Sequence, residues 1–182
     1  RLGDLVNKFN AKLNIYPVNY GEIFPISGGL PVSKRPPQRQ KLRLQELTRW
    51  SKFLNINLNT QPNFFPSKSL LPSLIIIAAK MEKLDNYFEL AFKIMNSLWV
   101  ENQDIDDEDV LKKILNRMNF DAENIILLAK SEKCLDIMNK YTQLAITKNV
   151  FGAPTYIIED QIYWGQDRLD FVERHLNTIN MD

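Results

Sequence analysis

Leu2, Leu5, Val6 and Phe9 fall at i, i+3, i+4 and i+7, the spacing of a helix that buries one face. Lys12-Leu13-Asn14-Ile15-Tyr16-Pro17-Val18 then alternates polar and apolar, which predicts a strand, edge-like because of Pro17. No capping residue or Met precedes Leu2. The helix and strand therefore read as the second half of a β-α-β unit whose first strand is expected upstream of Arg1. Residues 21–38 carry Gly21, Gly28, Gly29, Pro25, Pro31, Pro36 and Pro37 and predict a long loop. A basic amphipathic helix is expected over 39–54, with Leu44, Leu47, Trp50 and Leu54 on one stripe, and an irregular link runs from Asn55 to Pro66.

Helical spacing dominates the middle of the chain. Ser69 is placed to cap a helix reaching Lys80, with Pro72 tolerated in its first turn. The spacing predicts a helix over 83–99 whose stripe is Leu84, Tyr87, Phe88, Ala91, Phe92, Met95, Leu98 and Trp99. Asp106-Asp107-Glu108-Asp109 is an acid-rich helix start, and the helix it opens buries Val110, Leu111, Ile114 and Met118. Asp121 and Ser131 are read as caps of helices over 122–130 and 132–148. With no strand between them, these helices form one subdomain. From Phe151 the period changes: Thr155-Tyr156-Ile157-Ile158 and Gln161-Ile162-Tyr163-Trp164, joined by Glu159-Asp160, predict a hairpin. Gly165 ends it, and Leu169, Val172 and Leu176 mark a last helix. The order is that of an α/β, thioredoxin-like fold with a helical subdomain inserted between its β-α-β and β-β-α halves. Residues 1–20 and 149–182 form the expected thioredoxin-like domain, and 21–148 the connecting loop and insert.

Composition narrows the function. A chain of 182 residues with 45 % apolar content can bury one core and is neither disordered nor collagen-like. Cys134 and His175 are the only cysteine and histidine, which excludes a disulfide framework and a structural zinc site built from this chain alone. The run Leu74–Ala79 is far short of the roughly 20 residues a membrane helix needs. Lys and Arg number 23 against 22 Asp and Glu, yet residues 1–80 hold twelve of the former and three of the latter. Lys34, Arg35, Arg39, Lys41, Arg43, Arg49 and Lys52 face one acid, Glu46. The cluster reads either as a solvated face neutralised by the acidic half of the molecule or as a site for a small anion or acidic partner. Nucleic acid is not expected, because no interleaved aromatics accompany the charge.

Two short segments carry candidate chemistry. Pro154, in Gly152-Ala153-Pro154-Thr155, either simply starts the strand or, with a cis bond, turns the Ala153 backbone outward to pair with an extended ligand. Gly165-Gln166-Asp167 stands at a helix N-terminus, where open N–H groups suit a carboxylate and Asp167 suits an amine; the alternative is plain helix capping. Cys134 lies on an apolar stripe with Met138 and Tyr141 and reads as a core cysteine. His175, placed in the last turn of the terminal helix, complements its dipole.

Val150-Phe151-Gly152-Ala153-Pro154-Thr155, followed by Tyr163-Trp164-Gly165-Gln166-Asp167-Arg168-Leu169-Asp170-Phe171-Val172-Glu173, resembles the C-terminal signature of 2-hydroxychromene-2-carboxylate isomerases. These are relatives of kappa-class glutathione transferases and DsbA-like oxidoreductases. Ser27-Gly28-Gly29, Glu46-Leu47-Thr48-Arg49-Trp50, and Phe65-Pro66 with Ser69-Leu70 resemble further pieces, so the likeness spans nearly the whole chain. The resemblance implies glutathione as cofactor, its cysteinyl part paired with the Ala153 backbone beside a cis Pro154. Trp164, Gly165, Gln166 and Asp167 would receive its γ-glutamyl end. Lys34, Arg35 and Arg39 fall where the family holds glutathione or the substrate carboxylate. The family's activating Ser is expected upstream of Arg1, so no catalytic residue and no metal ligand is expected within these residues. Gly29 and Leu42 stand where relatives often carry Asn and Tyr. The implied activity is glutathione-dependent isomerisation of a small aromatic carboxylate. A kappa-type glutathione transferase and a catalytically idle glutathione- or partner-binding protein are the alternatives. The implied setting is a cytoplasmic homodimer with a small anionic substrate and no membrane or nucleic-acid partner.

Overall fold

Helices supply most of the regular structure in the computed structural model, which describes residues 1–179. In chain order they are α1 (Leu2–Lys8), α2 (Tyr20–Ser27), α3 (Pro37–Phe53), α4 (Leu71–Met81), α5 (Tyr87–Trp99), α6 (Glu108–Arg117), α7 (Ala122–Ala129), α8 (Glu132–Thr147) and α9 (Leu169–Ile179). The hairpin β1 (Thr155–Ile158) and β2 (Gln161–Trp164) lies between α8 and α9, with Thr155 opposite Trp164 and Ile158 opposite Gln161. Asp121 and Ser131 cap α7 and α8 as expected, accepting from the N–H of Asn124 at 3.1 Å and of Cys134 at 3.2 Å.

Most helix stops use one device. Asn10, Asn55, Lys83, Asn119 and Asn149 all take positive φ, between 48° and 58°. In each case the next residue (Ala11, Ile56, Leu84, Phe120 or Val150) returns its N–H to a carbonyl five residues back. This is the Schellman closure, with Asn or Lys in the left-handed position where Gly is commoner.

Three apolar clusters organise the packing. The largest joins α4 to α8 around Ile75, Ile77, Leu90, Leu111, Leu115, Ile125 and Met138. Helix α4, Leu-Pro-Ser-Leu-Ile-Ile-Ile-Ala-Ala-Lys-Met, is apolar on nearly all sides and is the buried centre of this bundle. A small cluster of Leu5, Leu169 and Val172 joins α1 and α9 to one face of the hairpin through Tyr156, Ile158 and Tyr163. A third, of Ile23, Ala145 and Val150, seats α2 on the end of α8.

Several expectations are corrected. Segment 12–18 is not a strand. Its burial alternates as a strand's would, with Leu13 and Ile15 half-buried between exposed Lys12, Asn14 and Tyr16. No strand lies beside it among the described residues, so no ladder forms. Side chains of the bundle take the place of the ladder: Lys80 Nζ donates to the Ile15 carbonyl at 3.0 Å and Tyr87 Oη to the Leu13 carbonyl at 3.2 Å. The Lys80 ammonium also lies 4.3, 5.1 and 5.8 Å from the ring centres of Tyr16, Tyr141 and Tyr87. The only sheet among the described residues is therefore the hairpin.

The expected loop over 21–38 contains α2. Asn19 accepts from Gly21 N–H, and its amide bonds Glu22, so the helix start is closed reciprocally. The helix runs through Pro25 and buries Ile23. In α5 the buried face is Leu90, Ala91, Ile94 and Leu98, while Phe88, Phe92 and Met95 are exposed. Helix α4 starts at Leu71, with Ser69 Oγ accepting from the Leu71 N–H. His175 sits in the middle of α9 rather than in its last turn, between Tyr163 Oη at 3.0 Å and Glu159 Oε2 at 3.3 Å.

Candidate functional site

The hairpin brings the two sequence-predicted segments side by side. The Ala153–Pro154 peptide is cis, and both residues are exposed. Gly165 N–H donates to the Pro154 carbonyl at 2.9 Å, and Thr155 Oγ1 to the Gly152 carbonyl at 2.5 Å. Gly165 turns the chain from β2 into α9 at φ 109°, a conformation that side chains rarely adopt. Gly152 is buried beneath the Trp164 indole, and a Cβ there would overlap it. Trp164 packs at a tilt against Phe151 with ring centres 4.9 Å apart. Ala153, Pro154, Trp164, Gly165, Gln166 and Asp167 thus form one contiguous ledge.

The ledge has free hydrogen-bonding capacity. The N–H and C=O of Ala153 have no backbone partner among the described residues, and neither do the N–H groups of Gln166 and Asp167 at the turn into α9. Asp167 faces Arg168 Nη1 at 3.3 Å. An extended peptide fragment could pair with Ala153, and a carboxylate with the open turn.

Beside Gln166 opens a cavity of about 500 Å³ lined by Arg1, Leu2, Leu54, Ile56, Phe92, Gln166 and Leu169. It lies where α1, the end of α3, α5 and the start of α9 meet. Arg1 is fixed at its edge: Nη2 bonds Asp170 Oδ1 at 2.9 Å, Nη1 bonds the Gln166 carbonyl at 3.4 Å, and the guanidinium rides over Trp50 at 5.6 Å.

The basic cluster lies apart from this cavity. None of Lys34, Arg35 and Arg39 lines this cavity. Arg35 Nε donates to the Leu30 carbonyl at 2.9 Å, inside its own loop, and Lys34 and Arg39 are exposed. Arg39 belongs to the N-terminal end of α3, about 16 Å along the helix axis from Trp50 at 1.5 Å per residue. Arg43 lies over Phe65 and Trp99, its pKa held below the usual value by burial and by neighbouring Arg35. Arg49 pairs with Glu46.

Sequence reasoning missed Arg1, Leu2, Ile56 and Phe92 as lining residues. For Phe92 a signal was present: apolar positions cover too much of the α5 circumference for one buried stripe. Cys134 is fully buried, its thiol donates to the Leu74 carbonyl at 3.3 Å, and burial pushes its pKa up to about 11. No helix of the described residues is long and apolar enough to cross a membrane.

The cis-proline ledge, the hairpin and the flanking α1 and α9 define the class: the chain belongs to the DSBA-like thioredoxin domain family, whose model matches residues 1–177. Within it, the chain is similar to two proteins named 2-hydroxychromene-2-carboxylate isomerase. That of Sphingobium xenophagum is 24% identical over 177 residues, covering 97% of this chain and 88% of that protein. That of Pseudomonas sp. (strain C18) is 22% identical over 175 residues, covering 95% and 80%. A solved structure of a 2-hydroxychromene-2-carboxylate isomerase shares the fold with a TM-score of 0.81 at 20% identity, covering 98% of this chain and 86% of that one.

Proposed function

We propose that this protein is a glutathione-dependent isomerase of small aromatic carboxylates. The observation that carries the reading is the meeting of the open Ala153–Asp167 ledge with the Arg1 cavity, in a chain whose similar relatives are named isomerases. The ledge offers what glutathione needs: a backbone N–H and C=O at Ala153 for its cysteinyl unit, open N–H groups at Gln166 and Asp167 for its γ-glutamyl carboxylate, and the Asp167 carboxylate for its amine. When bound, glutathione supplies a thiol whose anion adds reversibly to a conjugated substrate. The chain's residues then orient the two reactants. Ala153 fixes the extended tripeptide, the Gly165 turn anchors its charged end, and the apolar side chains beside Gln166 offer a surface for the aromatic ring.

Calorimetric titration with glutathione tests this. The parent should bind, and Asp167→Ala should weaken binding by about tenfold or more, as expected for loss of a charge-assisted contact. Absorbance then follows isomerisation of a cis-configured aromatic acid with glutathione present. Thioether product in place of isomer would move the assignment to a kappa-type transferase. No heat at millimolar glutathione would overturn the reading.

A further inference from the structure

We propose that Arg43 and Arg35 form a binding site for a small oxyanion of the phosphate class, apart from the ledge and from the cavity beside Gln166. Both side chains are half-buried. The Arg43 guanidinium lies 5.1 Å from the Phe65 ring centre and 5.6 Å from that of Trp99. The two rings pack on each other with centres 4.7 Å apart, so they make one floor under the cation. Ring faces attract a cation without occupying the N–H groups at its edge. Among the described residues no carboxylate forms an ion pair with Arg43 or Arg35. Glu46, three residues after Arg43 on α3, pairs with Arg49 instead. Arg35 brings a second positive charge to the same place, and it joins burial in holding the Arg43 pKa below the usual value. Its own Nε is engaged by the Leu30 carbonyl at 2.9 Å, which leaves its terminal N–H groups uncommitted. Gln40 fastens this segment to α3, its Nε2 donating to the Arg35 carbonyl at 2.7 Å and to the Ser33 carbonyl at 3.5 Å. Two guanidinium groups held together with no acid between them repel, and an anion that joins them removes that repulsion. A tetrahedral dianion offers an edge to each fork, whereas a single carboxylate satisfies one. Neither arginine lines the cavity that holds Arg1.

Inorganic phosphate is the probe, titrated into the whole chain at fixed pH and ionic strength with chloride as the balancing anion. Phosphorus NMR linewidth reports binding, and the indole N–H signal of Trp99 reports its place. The Kd should be about 1 mM or tighter, and acetate should bind more weakly. Arg43→Gln should weaken phosphate about tenfold or more, and Arg43→Lys, which keeps the charge without the fork, should retain part of the affinity. Arg35→Gln should also weaken it. Lys41→Gln and Lys52→Gln remove the same charge from the same helix and should leave it unchanged. Where Arg43 variants fold poorly, Arg35→Gln and the Trp99 signal of the unsubstituted protein decide, since Arg35 lies outside the three apolar clusters. The assignment fails if tens of millimolar phosphate leave both signals unmoved, if the Trp164 indole responds in place of that of Trp99, or if acetate matches phosphate. It also fails if Lys41→Gln weakens binding as much as Arg35→Gln, the mark of an adventitious ion only. Asp167→Ala should leave phosphate binding intact, so loss of the glutathione reading and loss of this one are separate results.

Discussion

Lys80→Met isolates the device that holds segment 12–18. The native ammonium donates to the Ile15 carbonyl at 3.0 Å and lies within 5.8 Å of three tyrosine ring centres. A hydrogen bond from a charged donor contributes about 1.5–3 kcal/mol. Cation–ring contacts at partly exposed positions add about 0.5–1 kcal/mol each. Methionine keeps apolar contact with the same rings and recovers part of the second contribution. With about half of the ring contribution recovered, the net expected loss is about 2–4 kcal/mol. Tyr87→Phe, which removes only the bond to Leu13, should cost about 1 kcal/mol. Both side chains hold one short segment, so the double variant should cost less than the sum if the segment is released as a unit. Urea unfolding followed by circular dichroism gives the three losses at constant m-value, and hydrogen exchange shows whether amides 12–18 lose protection. A loss below about 0.5 kcal/mol for Lys80→Met, with exchange unchanged, would refute the idea that side chains stand in for the ladder.

Lys83→Gly should stabilise the protein by about 0.5–1 kcal/mol in the same assay, because the left-handed position costs a lysine more than glycine loses in chain entropy. Cys134 should resist thiol reagents in the native state at pH 8, since the thiol stays protonated until about pH 11 and is buried; Cys134→Ala should leave isomerase activity unchanged. The Asp106 carboxyl is opposed by burial yet held below the usual value by Ser67 Oγ and the N–H groups of Lys68 and Ser69. A depressed folded pKa means this contribution is full above the ordinary carboxylate range and lost as pH falls through the folded value. Melting temperatures of the parent and Asp106→Asn should therefore differ at neutral pH and converge in acid.

The legible parts of the fold were those with self-contained local signals. The hairpin, with its two alternating quartets around Glu159-Asp160, and the Asp121 and Ser131 caps needed only neighbours in sequence. The failures came where tertiary context decides. The alternation of 12–18 was correct as a burial pattern, but a strand also needs a partner, and none lies beside it among the described residues. Helix α2 was hidden by Gly21 and Pro25, which punctuate most chains; the Asn19–Glu22 closure was the opposing signal. In α5, eight apolar or aromatic positions were assigned to one face, although a helix can bury only part of that arc. The ledge from Ala153 to Asp167 was legible because its segments flank the hairpin. The cavity was not, because Arg1, Leu54, Phe92 and Leu169 come from four distant stretches joined only by packing.

The unequal size of the clusters has a consequence for how the molecule breathes. The bundle rests on a broad core, whereas among the described residues the cluster joining α1, α9 and the hairpin has just three buried members, Leu5, Leu169 and Val172. Opening of α1, the hairpin and α9 should therefore need less free energy than melting the bundle, and the two should behave as separate cooperative units. A ligand on the ledge would then act as a clasp on the weaker unit. Its affinity would be written in slowed amide exchange over 1–18 and 150–179, while α4 to α8 kept their own rate.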